Sequence, residues 1–125
     1  MRAGLVIAAA VFVAGAPAAA ADGDVNADAF YRDARSLMGK GMGALFDKRT
    51  KPMMAHMKAA GLAAKTENDA ATKAGKPVYC VPKSKKGLDA KGVVAMLGRV
   101  PEAQRKSMTL KQAWRTALVR DYPCT

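Results

Sequence analysis

Two cysteines, Cys80 and Cys124, constrain this chain more than any other feature. What they do depends on where the protein goes, and the N-terminus bears on that. Arg2 gives a short positive start, and Leu5 to Ala14 is an uninterrupted apolar run. Pro17 breaks the run, and Ala19, Ala20 and Ala21 put small residues where a signal peptidase cuts. This is the three-part layout of a secretory signal peptide. Residues 1–21 are therefore expected to be removed, leaving 22–125 as a single periplasmic domain. As an uncleaved anchor the stretch Gly4 to Ala21 would be short, Ala-rich and interrupted by Gly15 and Pro17, a poor span.

In an oxidising compartment an even pair of cysteines points to a disulfide. The competing use of two thiols is a metal site, but no histidine lies near either cysteine to complete a tetrahedral set. A Cys80–Cys124 bond would close a loop of about 44 residues, worth ~4 kcal/mol in the chain-entropy account. That staple matters in a small domain. Each buried large apolar side chain contributes ~1.5–3 kcal/mol, and the entropy of ordering the chain is of similar or larger total size.

Charge narrows the partners. The chain has 21 Lys and Arg against 10 Asp and Glu, a formal net charge of +11. Only Arg2 among these charges precedes Asp22, so the surplus stays with the domain. Such a balance favours anionic lipid, lipopolysaccharide or other anionic polymer, or an acidic protein. Outside the cytoplasm nucleic acid is set aside. The basic residues are spread over every segment, as solubility alone would also have it.

The apolar pattern is helical throughout. Asn26 or Asp28 can cap a first helix. Phe30, Ala34, Leu37, Met38, Gly41 and Leu45 keep one face apolar through Phe46. Gly39, Gly41 and Gly43 interrupt it and suggest a break or kink. Pro52 suits the start of a second helix, with Met53, Met57, Ala60, Ala64 and Ala71 as its stripe through about Lys73. Gly75 and Pro77 end it. Val78 to Pro82 reads as a short extended piece between prolines. Asp89 caps a third helix with Val93, Val94 and Leu97 inward, and Pro101 opens a short fourth over Glu102–Lys106. Thr109 and Gln112 form a capping box for the last helix, with Met108 and Ala113 as a hydrophobic staple. Leu110, Ala113, Trp114, Ala117 and Leu118 face inward. The expectation is an all-α fold of four to five short helices in one domain, stapled by one disulfide.

The inventory of reactive groups points away from an enzyme. His56 is the one histidine. Ser36, Ser84 and Ser107 lack a nucleophile-elbow context. Glu67 and Glu102 lie on different segments and make no local carboxylate pair. Gly39 to Ala44 formally contains G-x-G-x-x-A, but a helix precedes it where a dinucleotide fold needs a strand, so no cofactor is expected. Met53, His56 and Met57 fall at i, i+3 and i+4, so two soft thioethers and an imidazole could converge on Cu(I). The same methionines also fit the core stripe, where Met commonly fills gaps. Trp114 keeps register with Leu110 and Leu118 and reads as core rather than as a partner surface.

From Tyr79 onward the chain resembles the Tai-like family of type VI secretion amidase immunity proteins. The features that carry the likeness are Tyr79-Cys80-Val81-Pro82, the apolar helix with Val93, Val94 and Leu97, and Pro101-Glu102. The helix with Ala117-Leu118 and the ending Tyr122-Pro123-Cys124 complete it. The resemblance implies a periplasmic helical protein, often a homodimer, that occludes the cleft of a peptidoglycan amidase toxin and performs no chemistry itself. By position it carries over Cys80 and Cys124 as the structural disulfide, and no toxin-contacting residue. Two other expectations stand beside it: a basic cell-envelope protein associating with anionic lipid or polymer, and a periplasmic Cu(I) binder through Met53, His56 and Met57.

Overall fold

The computed structural model describes residues 22–85 and 87–125; the leader and its expected cleavage after Ala21 lie outside the described residues. Helix α1 spans Ala27–Gly39. Asn26 starts it, its Oδ1 accepting from the amides of Asp28 and Ala29 at 3.0 Å each. Ala27, Phe30, Ala34 and Leu37 form its buried face, at the spacing the sequence predicts.

The expected continuation of that face to Phe46 does not occur. Gly41 takes a left-handed φ of +55°, and Gly41–Phe46 forms a 3₁₀ helix. A 3₁₀ helix turns three residues per turn, so the α-helical register is lost after the glycine. Leu45 and Phe46, expected inside, are 68% and 90% exposed.

Helix α2 is Thr50–Lys73 and begins ahead of Pro52. Pro52 still sits in the first turn, where a missing amide proton leaves no helical bond unmade. The helix ends in a Schellman motif around Gly75, whose φ is +83°. There Lys76 N–H donates to Ala71 O at 2.9 Å and Gly75 N–H to Thr72 O at 3.0 Å. Ala60 and Ala64 of α2 are buried, as are Ala113 and Ala117 of α5 (Leu110–Asp121). Small side chains on both sides let these two helices approach closely, and theirs is the most extensive helix pairing in the domain.

Val78 to Pro82, expected to be extended, forms no strand or helix and bends at Val78. The side chain of Asn68 takes the place of a neighbouring strand. Its Oδ1 accepts from Val78 N–H at 2.8 Å and Tyr79 N–H at 3.1 Å, and its Nδ2 donates to Tyr79 O at 3.0 Å. Cys80 N–H then donates to Tyr122 O at 2.8 Å, which sets the two cysteines side by side. The disulfide joins Cys80 to Cys124 with a Cα separation of 5.0 Å.

Helix α3 (Ala90–Gly98) is capped by Asp89, and α4 is Glu102–Lys106. The capping box of Thr109 and Gln112 opens α5, and Trp114 is buried in the core. The N-terminal stretch also docks here. Ala27 N–H donates to Met108 O, Leu110 N–H to Val25 O and Lys111 N–H to Gly23 O, all within 3.0 Å. The result is all-α in one domain with one disulfide: five α-helices and one 3₁₀ helix among the described residues.

One buried polar unit sits in this core. Asp28 is 1% exposed and Arg105 7%. Arg105 Nε donates to Asp28 Oδ1 at 3.1 Å, and its Nη1 donates to the carbonyls of Val100 and Gly98. The Tyr31 ring covers the guanidinium at 4.2 Å. Asp28 Oδ2 has Arg32 Nε at 3.2 Å, an ion-pair distance without hydrogen-bond alignment. Gly98 makes room for Tyr31: a Cβ there would lie 2.8 Å from the tyrosine oxygen.

Candidate binding groove

Helix α1 packs mainly on α3, α4 and α5 and only lightly on α2. The gap between α1, α2 and α3 is therefore an open groove of about 440 Å³. Phe30, Ala34, Leu37 and Met38 line it from α1, Met53, Met54 and Met57 from α2, and Val93 and Val94 from α3. The volume falls in the range typical of ligand pockets. None of the lining side chains carries a charge, and Thr50, which also lines it, directs its hydroxyl to Ala44 O. Its methionines are unbranched and polarisable, and adapt to a ligand surface at little cost.

The 3₁₀ helix forms one rim, and it is held firmly at its base. Asp47 accepts from Lys40 Nζ at 2.6 Å and from Arg49 Nε and Nη2 at 3.1 Å each. Arg49 also donates to Asp33 at 3.2 Å and to Ser36 at 3.3 Å on α1. Thr50 Oγ1 donates to Ala44 O at 2.5 Å. These bonds tie α1, the 3₁₀ helix and α2 together while Met42, Leu45 and Phe46 stay in solvent.

The same contacts set the acid behaviour. The Arg49 guanidinium first, then the Lys40 ammonium, hold the Asp47 carboxyl far below the usual carboxylate range. At the end of α5 the Asp121 carboxyl is lowered from 3.8 to about 2, chiefly by its hydrogen bond from Arg120, with Arg99 adding to it and burial opposing it. A carboxyl lowered on folding stabilises the fold above its unfolded pKa, and that stability is lost as pH falls through the folded pKa. For Asp121 the window runs from 3.8 down to about 2; for Asp47 it extends lower. The melting temperature will therefore decline below about pH 4. Asp121→Asn will melt lower than the parent at pH 6 and show a shallower decline between pH 4 and pH 2. Parallel melting curves for parent and variant across that range would remove the assignment.

The three residues considered for copper do not share one cavity wall. Met53 and Met57 line the groove. His56 lines a separate recess with Val25, Asp33 and Arg49, which Met53 also borders. The Nδ1 of His56 accepts from Gly23 N–H at 3.1 Å and lies 3.5 Å from Asp22 Oδ1. Among the described residues no group of three or more His, Cys, Asp or Glu is placed to hold a metal.

Met38, Val93 and Val94 read as core from spacing alone, and the structure makes them groove walls, joined by Met54, which the stripe of the second helix leaves out. The signal in the sequence was a surplus. Five of the eight methionines fall between Met38 and Met57, and Met42 and Met54 among them lie off the inward stripes. Set beside known proteins, the chain matches no family model, no curated protein and no solved structure.

Proposed function

We propose that this protein is a binding module which captures a protein partner in the methionine-lined groove, and that the partner is a peptidoglycan amidase toxin of the type VI secretion kind. The groove carries the first half of the reading: a preformed, apolar, uncharged cleft between helices suits recognition and supplies nothing for chemistry. The likeness of Tyr79–Cys124 to the Tai-like immunity proteins supports the second half. That stretch contributes the disulfide, α3, α4 and α5, which build the scaffold. Helices α1 and α2, outside the likeness, supply most of the groove, where a partner-specific surface belongs. Inhibition would follow from blocking access to the toxin's cleft.

The purified protein is expected to inhibit one amidase delivered by a competing bacterium at nanomolar concentration. Val93→Asp places an unpaired carboxylate on the groove wall, where burial against a partner costs ~3 kcal/mol or more. The expected result is at least a hundredfold weaker inhibition with the melting temperature little changed, because Val93 is only partly buried in the free protein. Unchanged inhibition by Val93→Asp and Met53→Asp would exclude the groove as the contact. A protein that inhibits no amidase would exclude the amidase reading itself.

A further inference from the structure

We infer that the protein docks on bilayers of anionic phospholipid through the 3₁₀ helix and the outer face of α2. This goes beyond the amidase reading and does not rest on it. The inner face of α2 carries Met53, Met57, Ala60 and Ala64. At i, i+3 or i+4 steps the opposite face carries Lys51, Met54, Lys58, Leu62 and Lys65. All five are exposed, Met54 at 68% and Leu62 at 62%. Met54 lines the groove together with Gly41 and Ala44 of the 3₁₀ helix, so this face borders the element that carries Met42, Leu45 and Phe46.

The combined surface has a definite chemistry. Its apolar side chains Met42, Leu45, Phe46, Met54 and Leu62 are all exposed to solvent. The lysines lie among them. Lys48, Lys51 and Lys58 make no ion pair among the described residues. Lys65 pairs with Asp69 at 2.7 Å, while Asp33 is occupied by Arg49, Asp47 by Lys40 and Arg49, and Glu67 by Arg115. Apolar side chains with unpaired lysines around them match an anionic headgroup layer above hydrocarbon: the lysines reach phosphates while Phe46, Leu45 and Met42 enter the acyl boundary. The firm base of the 3₁₀ helix holds that insert in place before it meets the membrane, which keeps the ordering cost of docking low.

The test is co-sedimentation of the protein, freed of its leader, with vesicles of phosphatidylglycerol and phosphatidylethanolamine, and with phosphatidylcholine vesicles as the neutral surface. The expected result is binding to the anionic vesicles alone, falling steeply between low and moderate salt. A lysine near an anionic surface is worth about fivefold in binding, so Lys51→Gln with Lys58→Gln should weaken it about 25-fold. Leu45→Ser with Phe46→Ser should weaken it about tenfold or more and leave the circular dichroism melt unchanged, since both side chains are exposed in the free protein. No binding to the anionic vesicles overturns the proposal, and so does equal binding to the neutral ones. Undiminished binding by the Leu45/Phe46 variant also overturns it, because the interaction would then be Coulombic adsorption. Equal capture of parent and that variant on immobilised polyglutamate, with no vesicle binding, would assign the surface to an acidic protein. None of these outcomes bears on amidase inhibition, which is read in a separate assay.

Discussion

Arg105→Ala will destabilise the domain by about 3–5 kcal/mol, because it leaves the Asp28 carboxylate buried without its partner. The loss goes further than one ion pair. The guanidinium also accepts the stacked Tyr31 ring and satisfies the carbonyls of Val100 and Gly98. Arg32, whose side chain is 72% exposed, reaches only one oxygen of Asp28 and cannot take over. For a domain of this size total stability is ~5–15 kcal/mol, so the variant will be partly unfolded at ambient temperature or close to it. Urea unfolding followed by circular dichroism will show the shift in midpoint. The informative control is the double change Asp28→Leu with Arg105→Met. Replacing both members of a buried pair by apolar groups is often neutral, so the double variant should be more stable than Arg105→Ala alone. If Arg105→Ala unfolds within about 1 kcal/mol of the parent, the pair is not desolvated in solution.

Loss of the disulfide is expected to cost about 2–5 kcal/mol. The bond spans 44 residues of sequence and joins the segment after α2 to Cys124, past the Tyr122 cap of α5. Without it, the Cys80–Tyr122 backbone hydrogen bond, the Asn68 clamp and the packing of Val78, Tyr79 and Tyr122 on the core would hold this edge. Dithiothreitol, or Cys80→Ser with Cys124→Ser, should lower the melting temperature by ten degrees or more at roughly 4–8 °C per kcal/mol. A reduced protein that melts with the oxidised one would show that the hydrogen bonds suffice.

Much of this architecture can be read from the sequence where a local rule acts alone. The Thr109–Gln112 capping box, the Asp89 cap, the stop at Gly75 and the pairing of Cys80 with Cys124 depend on near neighbours or on compartment, and all are present. The fate of Leu45 and Phe46 is less legible, because the left-handed turn at Gly41 resets the helical phase and nothing in spacing records that. Asp28 is similar. The sequence offers it as a cap for the first helix, a role Asn26 takes, and its burial depends on Arg105, which is 77 residues away in sequence. The groove was hidden for another reason. A hydrophobic stripe shows which residues avoid water, and not whether neighbouring helices close over them.

The docking of Gly23 to Ala27 along Met108 to Lys111 has a consequence for the order in which this molecule can assemble. A polypeptide leaving a ribosome, or threading a membrane pore N-terminus first, emits α1 long before the segment that anchors it. Until Arg105 and Met108 have followed, Asp28 has only the exposed Arg32 as counter-ion and Ala27 no carbonyl to meet. Completion therefore waits for nearly the last residues, through contacts of high sequence separation that slow folding, and the chain stays pliable for most of its passage.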